Sequence, residues 1–284
     1  MFPAGRPDLK TRYLDLPSGI RVRAVECGQA GAPMIVLVPG WGCSVYVFHD
    51  NIAPLADAGF HVVAVDLKGH GLSDKPLSRG EYSLESMRRH IGEILDALGA
   101  NDIVLAGLSM GAAIAAHVAA AERGRIRGLV LGSPVGFTGI PGLWAMKGVT
   151  ASPVVPLLPR IATRTAIKTI LHVVNGKLQQ VDPRDVDEYW APTQFPEFTI
   201  AMRQLLHEFA WKSGIPKMGA PTLLISGSRD RLLSRSRARR YARAIPAVRH
   251  LEIRDSGHVV YDEAPAMVNE AMIEFATGLY SKGQ

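Results

Sequence analysis

The spacing of hydrophobic and polar positions changes several times along this chain, and each change predicts an element. Residues 11 to 27 alternate around Pro17, Ser18 and Gly19, with Tyr13, Leu14 and Leu16 before the turn and Ile20, Val22 and Ala24 after it. That period of two predicts an antiparallel hairpin at a sheet edge. Met34 to Val38 and Phe60 to Val65 are instead unbroken apolar runs, the pattern of central parallel strands buried on both faces. Between them Val47, Phe48, Ile52, Leu55 and Ala56 mark one side of a helix closed by Ala58 and Gly59. Tyr82 and Ser83 cap a second helix, in which Met87, Ile91, Ile94, Leu95 and Leu98 recur at helical spacing. A strand over 102 to 106, a helix of small apolar residues from Ala112 to Ala121 and a strand from Ile126 to Leu131 continue the series. Such alternation predicts an α/β class fold, with a mostly parallel central sheet flanked by helices.

The alternation stops after Gly132, Ser133 and Pro134. Residues 137 to 213 carry Pro and Gly clusters and several helical patterns, but no apolar run that reads as a buried strand. Ile161, Ile167, Ile170, Leu171 and Val174 share one face over 159 to 174, and Phe198, Met202, Leu205, Leu206 and Phe209 do so over 198 to 211. The pattern divides the chain into a first core part (1–136), a helical cap insertion (137–213) and a second core part (214–284). In the last part come a strand over 221 to 226, an arginine-faced helix over 235 to 246 and a strand over 249 to 254. A final helix from Ala264 to about Tyr280 is expected to bury Met267, Val268, Met272, Ile273 and Phe275.

Composition narrows the partners. With 284 residues, 47% of them hydrophobic, the chain has enough apolar material for one large domain with an insertion. The net charge of +6 raises the question of nucleic acid, and Arg229, Arg231, Arg235, Arg237, Arg239, Arg240 and Arg243 form the densest basic cluster. Helical spacing points Ala238, Tyr241, Ala242 and Ile245 inward and the arginines outward, so a solvated face is expected and no nucleic-acid partner. Two cysteines, Cys27 and Cys43, are too few for a disulfide framework and lack metal-ligand spacing, which predicts a reducing compartment. Residues 1 to 10 contain no apolar signal core, and no stretch approaches bilayer length, so the expectation is a soluble, cytoplasmic protein without a membrane span. A homodimer is left open.

The candidate chemistry begins where the third apolar run meets its helix, at Gly107, Leu108, Ser109, Met110 and Gly111. A serine at the tip of a strand-to-helix turn occupies a strained conformation, tolerated when the residues two before and two after it are glycine. Its hydroxyl then stands at a helix N-terminus, where free N–H groups favour developing negative charge. A serine nucleophile needs a base and an acid that orients the base. His258 follows the strand ending at Arg254, and Asp230 follows the strand ending at Ser226; both lie where carboxyl ends of strands line the ligand crevice of an open sheet. Asp255 and Asp262, close to His258 in sequence, are competing acids. The backbone N–H groups of Met110 and of Trp41, between Gly40 and Gly42, are the candidate oxyanion donors.

From residue 11 to 280 these motifs together resemble the α/β-hydrolase superfamily, which carries the order Ser, Asp, His on a nucleophile elbow. The segment from Asp66 to Ser73 looks like the family's Asp-x-Arg-Gly-x-Gly-x-Ser, with Lys68 in place of arginine. Pro39 departs further, since most relatives carry His-Gly here; that histidine normally braces the oxyanion loop, and its absence leaves the backbone donors without the usual brace. Ser109 is unlike the aspartate of the superfamily's haloalkane dehalogenases and epoxide hydrolases, the longer Gly-Pro-Gly loop of its carbon–carbon bond hydrolases is missing, and prolyl iminopeptidases carry Trp where Met110 stands. The resemblance therefore implies a carboxylesterase-like serine hydrolase that needs no metal or organic cofactor. Its partner is a small-molecule ester, of small to medium apolar type, beneath cap positions Leu157, Leu158, Ile161, Ile167, Ile170 and Phe198. Carbon–carbon bond hydrolysis, a lyase or cyclase reaction in the same pocket, and a ligand-binding sensor with little turnover are the alternatives.

Overall fold

The computed structural model describes residues 1–138, 140, 142–150, 162–178 and 180–281. Eight strands form one sheet: β1 (Lys10–Asp15), β2 (Arg21–Cys27), β3 (Met34–Val38), β4 (His61–Val65), β5 (Ile103–Leu108), β6 (Ile126–Gly132), β7 (Thr222–Gly227) and β8 (Val248–Ile253). Their order is β1-β2-β4-β3-β5-β6-β7-β8. The β1–β2 pair is antiparallel, as the alternating hairpin predicts, β2 and β4 are antiparallel as well, and every pairing from β4 to β8 is parallel.

The unbroken apolar runs fill both faces of this sheet. Val36, Val38 and Leu105 point to one side and pack under α2 (Leu84–Ala97) and α3 (Met110–Ala121). Ile35, Leu37, Val104 and Ala106 point to the other, where they meet Phe48, α1 (Ile52–Asp57) and Val268 and Met272 of the last helix. The alanines of α3 let that helix lie close beneath β5 and β6, so that every residue from Met110 to Ala116 is buried.

Between β6 and β7 the described residues form α4 (Leu143–Val149), α5 (Arg164–Val174), α6 (Pro183–Trp190) and α7 (Pro196–Glu208), with no strand among them. The start of α6 is a capping box: Asp182 accepts from Asp185 N at 2.8 Å while the Asp185 carboxylate accepts from Asp182 N at 3.0 Å. After β7 come α8 (Arg235–Ala244), then, following β8, the single turn α9 (Val260–Glu263) and α10 (Pro265–Ser281). The arginine-rich helix buries Ala238 and Tyr241 and pairs Arg235 with Glu252, as expected of a solvated face.

Three sequence expectations are corrected. The helix expected through Val47 and Ala56 is a 3-10 turn (Val45–Phe48) followed by a separate α1, because Pro54 has no N–H to donate and fits only the first turn of a helix. Ile170 and Met267 are 55% and 46% exposed. Each lies one residue away from the buried row of its own helix, Leu171 in α5 and Val268 with Met272 in α10, and a helix turns too far per residue for neighbours to share a narrow face. Leu157, Leu158 and Ile161 lie outside the described residues.

Beneath the insertion, polar groups are buried in pairs. Arg23 Nε donates to Asp66 Oδ2 at 2.7 Å, with side-chain exposures of 2% and 0%. Asp66 also accepts from Val45 N and Leu72 N at 2.8 Å, and a second Arg23 nitrogen donates to Phe2 O at 3.0 Å. Lys68 donates to Glu81 and Ser86, while its backbone N–H donates to His90 Nε2 at 2.9 Å. Burial pushes the His70 imidazole down to about 4 and holds His90 well below the ordinary value.

Two stability predictions follow from this polar layer. Asp66→Ala leaves Arg23 charged and unpaired in the interior and is expected to lower the unfolding free energy by about 3 to 5 kcal/mol, read from urea denaturation. The buried histidines bind protons more readily unfolded than folded. Their contribution is therefore complete above about pH 6.5 and falls with pH below it, by up to about 1.4 kcal/mol per pH unit for each. His90→Gln keeps an acceptor for Lys68 N, and its stability should fall less steeply between pH 6.5 and 4.5 than that of the parent; an unchanged slope would contradict this.

Candidate active site

Close backbone packing shapes the turn between β5 and α3. A Cβ on Gly107 would stand 2.5 Å from the carbonyl of Gly111, and one on Gly111 would collide with the Val38 and Pro39 carbonyls at the end of β3. Only glycine fits either position. Ser109 sits between them at φ 55°, ψ −115°, outside the regions an L-residue normally adopts, a conformation that costs about 1 to 3 kcal/mol. Its N–H donates to Gly132 O at 2.8 Å and its carbonyl accepts from Ala113 N and Val135 N, so that β6 and α3 hold the strained residue in place.

The other two side chains arrive on loops after β7 and β8. His258 Nε2 lies 2.8 Å from Ser109 Oγ, and His258 Nδ1 lies 2.8 Å from Asp230 Oδ2. A carboxylate can only accept, so Nδ1 carries the proton and Nε2 is the acceptor facing the serine hydroxyl. Asp230 Oδ1 accepts from Leu232 N at 2.7 Å and Leu233 N at 2.8 Å, which fixes the carboxylate without spending the oxygen that faces the imidazole. All three residues are buried, Ser109 being 8% exposed. The competing acids are occupied elsewhere: Asp255 accepts from Arg229 at 2.6 Å, and Asp262 Oδ1 lies 3.7 Å from His49 Nδ1.

The candidate oxyanion donors are the backbone N–H groups of Met110, next to the serine, and of Trp41, in the loop after β3. Neither Met110 N–H nor Trp41 N–H is taken up by a hydrogen bond among the described residues. Gly40 lies close against Ser109, since a Cβ there would lie 3.1 Å from Ser109 Cβ. Where the usual histidine is replaced by Pro39, the loop has a different brace. Trp41 Nε1 donates to Met202 O of α7 at 3.3 Å, its ring meets Trp211 edge to face at 5.9 Å, and Cys43 N donates to Gly40 O at 3.2 Å. Burial pushes the Cys43 thiol up to about 12, which keeps it protonated beside this loop. Among the described residues no group of His, Cys, Asp and Glu is arranged to hold a metal ion, and no helix is long and apolar enough to cross a membrane.

One acidic residue here is absent from the sequence expectations. Glu263, buried at the end of α9, accepts from Gly257 N at 2.8 Å, Val259 N at 3.1 Å and, across the fold, Gly176 N at 2.6 Å. Gly176 lies 87 residues away in the insertion, and no local pattern links the two positions.

Comparison with known proteins agrees with this architecture. The family model described as "alpha/beta hydrolase fold" matches residues 33–265. Epoxide hydrolase A of Mycobacterium tuberculosis is 26% identical over 309 aligned residues, covering 92% of this chain and 96% of its own. Lipase 1 of Psychrobacter immobilis is 27% identical, covering 93% of this chain and 83% of its own. The solved structure of an enol-lactonase from Burkholderia xenovorans LB400 superposes with a TM-score of 0.77 at 21% identity, over 94% of this chain and 100% of that one. With most of its length matched and the parallel sheet and glycine-flanked elbow in place, the chain belongs to the α/β-hydrolase fold family.

Proposed function

We propose that this protein is a serine hydrolase that cleaves carboxylic esters through an acyl-enzyme. The observation that carries the reading is the relay from Ser109 Oγ to His258 Nε2 and from His258 Nδ1 to Asp230, both links at 2.8 Å, below a serine held at positive φ. Ser109 Oγ attacks the ester carbonyl carbon while His258 Nε2 takes its proton. The carbonyl π pair moves onto oxygen, and that oxyanion is met by Trp41 N–H and Met110 N–H, each worth roughly 3 kcal/mol of transition-state stabilisation. The pair returns, the C–O bond to the alcohol breaks, and His258 protonates the leaving alkoxide. Water, deprotonated by His258, then adds to the acyl carbon, and collapse releases the acid and restores Ser109. Asp230 holds the imidazole in the required tautomer and stabilises it while it is charged.

In this reading the 137–213 insertion caps the site and selects the substrate. Trp41 is tethered to α7, whose buried Phe198, Leu205 and Leu206 give this side an apolar character that suits small to medium apolar esters. The likeness to Lipase 1 is in keeping with ester chemistry. The epoxide hydrolase among the relatives does not favour epoxide opening here, since the superfamily's epoxide hydrolases carry an aspartate where this chain has Ser109.

The test is intact-protein mass after fluorophosphonate treatment, with turnover of short-chain aryl esters alongside. The parent is expected to gain one adduct and to turn over the esters with an acyl-enzyme burst. Ser109→Ala is expected to gain none, and Ser109→Ala and His258→Ala should each lose at least about 1,000-fold in kcat. Full activity in Ser109→Ala would sink the proposal. Ligand-induced stabilisation without turnover would favour a sensor, and activity without a burst a lyase or cyclase.

A further inference from the structure

Glu263 is a buried carboxylate that forms no ion pair among the described residues. Burial raises its pKa and the nearby Asp230 carboxylate adds repulsion, while the N–H groups of Gly257, Gly176 and Val259 favour the charged form. Each of the two oxygens is used. Oε2 accepts from Gly257 and Gly176, and Oε1 accepts from Val259. Gly257 and Val259 flank His258 in sequence, so the carboxylate grips the backbone on both sides of the imidazole. Gly176 belongs to the segment that leaves α5.

That segment is fastened to the His258 loop along its length. His258 N donates to Val174 O and Lys177 N donates to Asp255 O, both at 2.8 Å. A Cβ on Gly176 would stand 2.5 Å from Gly257 N, and one on Gly257 would stand 2.5 Å from Val174 O. The two backbones touch with no side chain between them, and Glu263 accepts from an N–H group of each.

We propose that Glu263 is a positioning residue. Its carboxylate locks the His258 loop to the Val174–Lys177 segment of the insertion and so fixes where the imidazole stands over Ser109. The proposal rests on His258 acting as the base in the reading above. A change in the insertion is felt at the base through this lock. Charged acceptors suit the task, because one carboxylate can take three N–H bonds that are each stronger than a neutral pair. An amide of the same volume cannot. One of its ends is a donor, and it leaves an N–H group on one side of the lock unpaired.

The experiment compares Glu263→Gln with the parent and with Glu188→Gln. Glu188 is a second buried carboxylate on the insertion, which accepts from Phe2 N at 2.6 Å and has no part in the His258 loop. Glu263→Gln is expected to remain folded, to exchange the Gly176, Gly257 and Val259 amides roughly 10-fold faster, and to move the ring resonances of His258. On an aryl ester it should lose about 10- to 100-fold in kcat with KM unchanged, because a misplaced base slows chemistry and leaves binding alone. Glu188→Gln should change stability and leave kcat at the parent value. Parent-like kcat in Glu263→Gln, or an equal loss in Glu188→Gln, overturns the proposal. Should the parent prove inert to fluorophosphonate and esters, the hydrolase reading fails by itself. The exchange rates and the His258 resonances then decide about Glu263, and unmoved values reject it.

Discussion

Backbone packed directly on backbone at the end of β5 is the constraint on which this site depends. Gly111 meets the Val38 and Pro39 carbonyls, and Gly107 meets the Gly111 carbonyl. These approaches bring the tip of β3 under the start of α3, which sets the oxyanion loop beside Ser109 before any side chain is considered. The positive φ at Ser109 is held by three hydrogen bonds, to Gly132 of β6, to Ala113 of α3 and to Val135 in the loop after β6. A strained residue supported in this way keeps its geometry without further reorganisation.

The same economy of backbone contact recurs where the insertion meets the core. The Val174–Lys177 segment joins the His258 loop by main-chain hydrogen bonds, Trp41 reaches Met202 O, and Tyr46 donates to Asp185 in α6 at 2.8 Å. The insertion therefore touches the Trp41 loop and the His258 loop at separate points. Hydrogen bonds between buried groups are directional and expensive to leave unmade, and each of these points fixes a position more sharply than an apolar contact of equal area would.

Most of the frame was legible from local pattern. Unbroken runs such as Met34 to Val38 mark buried parallel strands, and period-two alternation marks the β1–β2 hairpin, because each reflects which faces are covered. Ser109, Asp230 and His258, which the structure brings into one hydrogen-bonded chain, could be singled out as candidates because they follow strand ends, and strand ends can be read from the chain. What could not be read is whatever depends on the partner across space. Glu263 and Gly176 are one contact but two unrelated positions in sequence. The brace that replaces the missing histidine is a tryptophan whose acceptor is a main-chain carbonyl, a group every residue carries. Ile170 and Met267 were placed inside by a helical period that does not resolve one residue from its neighbour when both are apolar.

The contacts of buried Phe2 bear on the order in which the fold is completed as the chain is made. Phe2 is buried against Arg23 and Glu188, its carbonyl accepting from Arg23 and its N–H donating to Glu188 in α6. The strands from β5 onward add to one growing edge in the order in which they are made. Phe2, by contrast, meets Glu188 only once α6 has been made, and Ser109 meets His258 only after the loop following β8. In a nascent chain Ser109 therefore stands without His258 beside it until β8 and the loop after it have been made.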